Sequence, residues 1–378
     1  MPVSVFRIVL IALAGLIVVA TALSLVRTDA WWVRMFDFPR MQLTVAAIVV
    51  VALYVGSNLW LGDPSWWEWG LFAALAVAVG VQGTQMVPYT SIYPEQTVRA
   101  NPADAAPDRR LRLVVSNVLM ENRDRDRWLE VVREADPDII AAVETDAWWV
   151  ETSRELADAY PHAVEVPQDD TYGMLLRSKL PLDRTEVRHL VEDTVPSLLL
   201  TVRLRSGEPV TVILLHPRPP RPDIQQDATL RDAELVLAGR EAAEEKGPIV
   251  VAGDLNDVAW SHTTRLFQRL SGLLDPRIGR GTFSTFHAEH WWLRYPLDHV
   301  FHSDHFALVE LRRLDPVGSD HFPMLIELEL DPSVVPLQEA PETEADDVEE
   351  GADMVDEAEE MKAEETPEER REREEEDQ

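Results

Sequence analysis

Three long apolar runs near the amino terminus constrain this chain more than any other feature. Residues 8–26 are apolar except for Thr21 and Ser24, a second run covers 41–61, and a third covers 70–87. At about 1.5 Å of rise per residue, each run as a helix is close to the ~30 Å of a bilayer's hydrocarbon core. Trp31, Trp32, Trp60, Trp66, Trp67, Trp69, Tyr89 and Tyr93 flank the runs, where interfacial aromatics belong. With the flanking tryptophans counted, the expected spans are 8–26, 41–61 and 67–87 of a membrane domain covering 1–90. A cleaved signal peptide is the other reading of the first run, with Ala20-Thr21-Ala22 as its cleavage site. The two later runs imply a membrane protein under either reading.

Charge divides the rest of the chain. Of the net −32, residues 331–378 carry −18 (22 acidic, 4 basic), residues 101–330 carry −14, and the first hundred sum to zero. The acidic segment has few large apolar residues, so 333–378 is expected to be a disordered tail. A Pro- and Ala-rich stretch at 101–108 makes 91–109 a linker. There are no cysteines, which excludes disulfides, thiolate metal sites and a cysteine nucleophile.

Between linker and tail, apolar runs of strand length alternate with amphipathic stretches. Strands are expected near 111–116, 139–143, 172–176, 198–204, 210–215, 249–252, 296–301 and 323–330, and helices at 125–135 and 227–243. Adjacent strand pairs among alternating elements fit a mixed α/β sandwich better than a doubly wound sheet. The stretch Ile249-Val250-Val251-Ala252-Gly253-Asp254-Leu255-Asn256-Asp257 is the most informative of these. It reads as a buried strand ended by Gly253, with a carboxylate and an amide at its carboxyl tip, where α/β sheets bind ligands. An Asx turn would explain the same residues.

What favours chemistry is recurrence. Asn117, Glu144, His216, Asp254 with Asn256, Asp298, and Asp320-His321 each lie at or beside the end of an apolar strand. Carboxylates and imidazoles converging on one sheet end suit a divalent cation and an acid/base pair.

In order along the chain, these residues sit in Ser116-Asn117-Val118, Pro137-Asp138-Ile139-Ile140-Ala141-Ala142-Val143-Glu144, Tyr172-Gly173-Met174-Leu175-Leu176-Arg177-Ser178, Leu215-His216-Pro217, Gly253-Asp254-Leu255-Asn256, Leu297-Asp298-His299 and Ser319-Asp320-His321-Phe322-Pro323. This ordered set, covering about 110–330, resembles the endonuclease/exonuclease/phosphatase superfamily of metal-dependent phosphoesterases. The resemblance implies a four-layer α/β sandwich, two mixed sheets flanked by helices, over 110–332.

It also implies roles. Glu144 is the principal Mg²⁺ ligand (Mn²⁺ serving as well), with Asn117 and Asp320 as helpers. Asp254 orients or deprotonates the attacking water, and Asn256 holds that water or a phosphoryl oxygen. His321 pairs with Asp298, and His216 is a second donor to the phosphate. Asn117 and Tyr172 bind substrate. Apart from the resemblance, Arg218 and Arg221 in the Pro-rich loop after His216 are candidates to grip a phosphate, with solvated loop arginines as the other reading. Leu119 stands where the repair-nuclease branch has an acidic residue, which puts a second metal ion in doubt.

Substrate class is open at this level. A nuclease needs a basic footprint, yet residues 101–330 hold 26 basic and 40 acidic residues. Three spans followed by this domain resemble bacterial membrane phosphatases acting on polyprenyl pyrophosphate carriers, which implies a lipid-linked phosphate and an extracytoplasmic domain. The arginines oppose that placement. Arg27, Arg34 and Arg40 lie between the first two spans, and Arg99, Arg109, Arg110 and Arg112 follow the third, against only Arg7 on the other side. Positive-inside counting puts the domain in the cytoplasm. The extracytoplasmic placement is carried forward as the expectation. A membrane-tethered nuclease is the alternative, and a non-catalytic scaffold using the acidic tail is a third reading. His287 and His290 lack a supporting ligand set for zinc. Trp291-Trp292 reads as a groove lining or as a rim touching the membrane.

Overall fold

The computed structural model describes residues 2–61, 65–220 and 227–364. Arg221 and the last part of the acidic tail lie outside them, as does the side chain of Trp60. Near the amino terminus are α1 (Pro2–Leu23), the short α2 (Trp31–Arg34), α3 (Arg40–Leu61) and α4 (Trp66–Met86). Among the described residues three helices are long and apolar enough to cross a membrane: Val5–Leu23, Arg40–Asn58 and Trp66–Tyr89, with mean hydropathies of 2.6, 1.7 and 1.5. Ala14, Ile17, Ala47, Val50 and Leu75 interlock them. Ile8, Leu16, Val19, Val45, Ile48 and Val55 point outward, uncovered by protein.

The elements that follow are β1 (Arg110–Asn117), α5 (Arg125–Ala135), β2 (Ile139–Val143), α6 (Ala147–Ser153), β3 (His162–Val166), β4 (Met174–Ser178), β5 (Leu182–Arg188), β6 (Ser197–Arg203), β7 (Pro209–Leu215), α7 (Thr229–Glu244), β8 (Ile249–Asp254), α8 (His262–Ser271), β9 (Asp298–His302), β10 (Phe306–Arg313), β11 (Met324–Leu330) and α9 (Ala345–Glu364). They form a six-stranded sheet, order β10-β11-β1-β2-β4-β3, and a five-stranded sheet, order β5-β6-β7-β8-β9. Only β1/β2 and β7/β8 run parallel.

Alternation along the strands explains the layering. Leu111, Leu113, Val115, Val212, Leu214, Val250 and Ala252 face inward and fill the space between the sheets. Val114, Ile140 and Ala142 face outward onto Trp128, Val132 and Trp149 of α5 and α6. Ile213, Leu215, Ile249 and Val251 pack on Leu235, Ala238 and Phe267 of α7 and α8. The result is the expected four-layer α/β sandwich.

Three expectations need correction. First, β8 does not end at Gly253 but runs through Asp254, which pairs with Asp298. Gly253 (φ 142°) is there because a Cβ would fall 1.8 Å from the Leu215 carbonyl oxygen of the parallel neighbour.

Second, 91–109 is more than a linker. Ala100 N–H donates to Leu308 O and Leu308 N–H to Val98 O (2.9 and 2.8 Å), laying this stretch along β10, and Thr97 is fully buried against His302.

Third, the tail is ordered over Ala345–Glu364. Met354 and Val355 pack on Val236, Leu266 and Leu270, and Ala358 on Leu230 and Ala233. A Cβ at Gly351 would sit 3.1 Å from Val236 and 3.2 Å from Leu270, so the glycine permits the close approach. Arg269 Nε donates to Asp347 (2.9 Å). The apolar stripe is only Gly351, Met354, Val355 and Ala358, and averaging composition over an acidic segment erases it.

The loop between the first two spans is built into the sandwich. Ala228 N–H donates to Asp29 O and Trp31 N–H to Asp227 Oδ1 (2.9 Å each). Trp260 Nε1 donates to Asp37 O (2.7 Å) and Tyr89 Oη to Ala259 O (2.6 Å). Arg34, 5% exposed, donates to Asp257 Oδ2 (3.2 Å) and Thr263 Oγ1 (2.9 Å).

Candidate active site

Strand register brings the polar strand ends together. Asn117 pairs with Val143, one residue before Glu144. Leu215 pairs with Gly253, which sets His216 beside Asp254, and Asp254 pairs with Asp298. Val115 pairs with Met324, which puts His321 at the same end. Carboxyl ends of the parallel strands and amino ends of their antiparallel partners thus meet at one rim.

There the side chains connect. Asn117 Nδ2 donates to Glu144 Oε1 (2.7 Å) and to Asp254 Oδ2 (3.0 Å), bridging the two sheets. His321 Nδ1 is 2.7 Å from Asp298 Oδ2, and its Nε2 faces Asp254 Oδ2 at 3.6 Å. His216 Nε2 lies 4.0 Å from Glu144 Oε1. Asn256 N–H donates to Asp254 Oδ1 (2.9 Å), and its amide Nδ2 donates to Pro217 O (3.0 Å), tying the His216 loop to the β8 tip. Glu144 (φ 59°) and Asn256 (φ 51°) both adopt the left-handed region. Asn tolerates it, whereas for Glu it costs of order 1–3 kcal/mol, strain of the kind functional sites retain.

Electrostatics divide the roles. Burial pushes Glu144 up to about 7; Asp254 and Asp320 add to this, while Asn117 and His321 oppose it. Burial drives His216 down to about 4 despite Asp254, so it is neutral at pH 7. Burial disfavours the His321 cation too, yet Asp298 and Asp254 outweigh it and raise the ring to about 10. Burial likewise works against the Asp254 charge, but His321, His216, Asn117 and the Asn256 N–H hold it below the usual carboxylate range. Burial pushes Asp298 up against the pull of His321. An imidazolium His321, bonded to Asp298, therefore faces an ionised Asp254.

Two groups of potential ligand atoms lie within 4.8 Å of one another: Glu144, His216 and Asp254, and Asp254, Asp298 and His321. The first holds two carboxylates within reach of one ion, the hard oxygen donors a divalent cation takes. The donor set fits a divalent ion. Asp320 is half-exposed and outside both groups, and its charge acts on Glu144 and His321 from nearby.

Tyr172 and Arg218 are 1% and 2% exposed. The Arg218 guanidinium stacks over the Tyr172 ring (4.8 Å) and pairs with Glu192 (2.8 Å), and Tyr172 lies 5.9 Å from the His216 ring. They form the wall behind His216 rather than an open substrate surface. The His287 and His290 rings lie 4.5 Å apart, tilted by 34°, and join neither ligand group among the described residues.

The profile of the endonuclease/exonuclease/phosphatase family matches residues 114–321, more than half of the chain and all of this cluster. The chain belongs to that family. Family membership makes it a metal-dependent hydrolase of phosphoester bonds. Among curated relatives of this family member, UPF0294 protein YE0917 of Yersinia enterocolitica is 26% identical over 236 residues, 58% of this chain and 84% of the relative. UPF0294 protein YpsIP31758_1050 of Yersinia pseudotuberculosis is 25% identical over 233 residues, with the same coverage. Similar solved structures include the endonuclease/exonuclease/phosphatase from Bacteroides vulgatus (18% identity, 59% of this chain and 99% of that one, TM-score 0.48). Another is the human Nocturnin catalytic domain with bound sulfate anion (17%, 64% and 98%, TM-score 0.48).

The family member's sequence hid Arg34 and Asp257, the pair that joins the inter-span loop to the β8 tip. An arginine in a short loop between spans reads as a topology marker, and no local signal says otherwise. Thr285, whose Oγ1 accepts from Asp298 N–H (3.2 Å), was equally silent.

Proposed function

We propose that this protein is a membrane-held, Mg²⁺-dependent phosphoesterase that cleaves a phosphate ester or pyrophosphate, on a lipid-linked substrate, by in-line attack of a water activated by Asp254. The observation carrying this reading is the 3.6 Å approach of an imidazolium, His321 held by Asp298, to an ionised Asp254 that Asn117 links to Glu144. Asp254 accepts the water's proton. His321 faces the negative charge that builds on the phosphoryl group, and neutral His216 donates an N–H to it. Glu144, with Asp254 and Asn117, would hold the cation, which when bound supplies Lewis acidity and neutralises phosphate charge.

Charge supports a small amphiphilic substrate over a nucleic acid. The 26 basic and 40 acidic residues at 101–330 repel a long polyanion, and most candidate arginines are occupied, such as Arg109 with Glu208 and Arg110 with Glu329. The same fact weakens the arginine count against an extracytoplasmic domain. Arg34 and Arg40 are buried in ion pairs, so their placement has a structural reason unrelated to topology.

The full chain in detergent should hydrolyse bis(p-nitrophenyl) phosphate only with Mg²⁺ or Mn²⁺, and Asp254→Asn should lower kcat by about 10²–10⁴-fold, the range for a lost general base. Activity that survives thorough chelation, or an unchanged rate in Asp254→Asn, would overturn the mechanism. Glu144→Ala serves as the blank.

A further inference from the structure

The loop that forms one wall of this site also reaches one of the membrane helices. Its two ends are bonded together, with Phe286 N–H donating to Tyr295 O (3.0 Å) and His287 N–H to Leu293 O (2.9 Å). Its root rests on the catalytic residues. The Phe286 ring lies 5.1 Å from His321, and Ala288 N–H donates to Asp320 O (2.6 Å). Its tip carries Trp291, Trp292 and Leu293, which are 75%, 52% and 38% exposed. Three large apolar side chains in a row, uncovered beside an active site, call for a partner.

The identity of that partner comes from one hydrogen bond. Gln42 Nε2 donates to Trp292 O at 2.9 Å. Gln42 belongs to the first turn of α3, which begins at Arg40 and is apolar enough to cross a bilayer. Its helix neighbours Met41 and Val45 are 39% and 57% exposed, surface that lipid covers once α3 is in a membrane. The tip of the loop is thus continuous with a lipid-facing surface, at the level where the span enters the headgroups. Indole rings prefer that level, having an apolar body and one N–H for a polar group. From Ala288 to Trp291 the chain can reach at most about 10 Å, so the loop's root, and the site beside it, lie within that distance of the tip. Arg294, just past the tip, lies 5.0 Å over the ring of Phe322, the neighbour of His321. Its buried Nε has no hydrogen-bond partner among the described residues.

We propose that Trp291, Trp292 and Leu293 dock into the bilayer interface and seat the catalytic mouth at headgroup level, so that the site takes its phosphoryl group from an amphiphile held in the membrane. The proposal rests on the hydrolytic reading above, and its test separates the two. The chain has no cysteine, so Trp291→Cys in the full chain gives a unique site for an environment-sensitive fluorophore. In phosphatidylcholine nanodiscs the label should be shielded from aqueous iodide and quenched by lipids carrying a nitroxide near the headgroup. A label as accessible to iodide as one on exposed Asp126 would overturn the docking, whatever the activity.

The second arm uses Trp291→Ser/Trp292→Ser. On polyprenyl pyrophosphate in the nanodisc this variant should lose at least tenfold in kcat/KM, mostly through KM. On bis(p-nitrophenyl) phosphate and on inorganic pyrophosphate it should stay within twofold of the wild type. Equal losses on soluble and lipid substrates would reduce the tryptophans to a structural role, and no loss on the lipid would remove them from substrate capture. Wild-type protein inactive on all three would sink the hydrolytic reading while leaving the quenching result to stand by itself.

Discussion

Removing the charge of Arg34 should destabilise the whole protein although Arg34 lies outside the sandwich's own sequence. Its Nη2 donates to Thr263 Oγ1 (2.9 Å) and Asp257 Oδ2 (3.2 Å) and lies 3.5 Å from Asp232 Oδ2, while Nη1 is 3.8 Å from Asp37. Arg231, 2.7 Å from Asp232, and Arg40, 2.6 Å from Asp37, complete a buried cluster of three arginines and three aspartates. Burial disfavours the Arg34 charge, yet Asp232, Asp257 and Asp37 outweigh it and raise its pKa further. Arg34→Met keeps an unbranched apolar stem without the guanidinium and leaves the cluster one negative charge in excess. Breaking a buried pair from one side costs about 3–5 kcal/mol. Because Arg231 still faces Asp232 and Asp257, the low end, about 3 kcal/mol, is expected. At roughly 2–4 °C per kcal/mol, the melting temperature of the full chain in detergent should fall by about 6–12 °C, read by intrinsic tryptophan fluorescence. Arg99→Met, in an exposed pair with Glu95, should shift it by no more than about 1–2 °C. Arg34→Met/Asp232→Asn restores the charge count and should recover part of the loss. The reasoning fails if Arg34→Met is as mild as Arg99→Met, or if the double variant loses the sum of its parts.

Two further outcomes follow from buried groups. Glu234 on α7 is fully buried with Oε1 unpartnered among the described residues, and burial raises its pKa to about 8 against the pull of Arg218 and Arg188. The folded state therefore keeps the proton that the unfolded chain loses above its ordinary pKa of 4.5. Stability must then fall as pH rises from about 4.5 to 8, by up to roughly 5 kcal/mol. Glu234→Gln should melt higher than wild type at pH 8.5 and equally at pH 4.5, and equal melting at both would refute the assignment. Truncation after Glu339 uncovers the apolar faces that Met354, Val355 and Ala358 protect. On the order of 3 kcal/mol should be lost, seen as a lower denaturation midpoint. An unchanged midpoint would restore the expectation of a disordered tail.

Much of the site was legible because its chemistry sits at strand ends. Apolar runs mark the strands, and Asn117, Glu144, His216, Asp254, Asp298 and His321 break those runs at one end each. Tyr172 and Arg218 were placed near the right spot, but a sequence cannot say which side of a wall a side chain occupies; packing against Glu192 turned Arg218 inward. The tail was misjudged for a related reason. Its contacts need only Gly351, Met354, Val355 and Ala358, and their value depends on a groove between α7 and α8 that no local pattern announces.

The sequence by itself determined the three apolar helices, the alternating strands and the ordered set of polar tips, because each depends on periodicity or on neighbours along the chain. Tertiary structure alone decided that Arg34 neutralises carboxylates about two hundred positions away beside the β8 tip. It also decided that Gln42 holds the loop carrying Trp291 and Trp292 against the start of a membrane span. These contacts join segments far apart in the chain, and their energies come from burial and distance, which exist only once both sheets and the helices have packed.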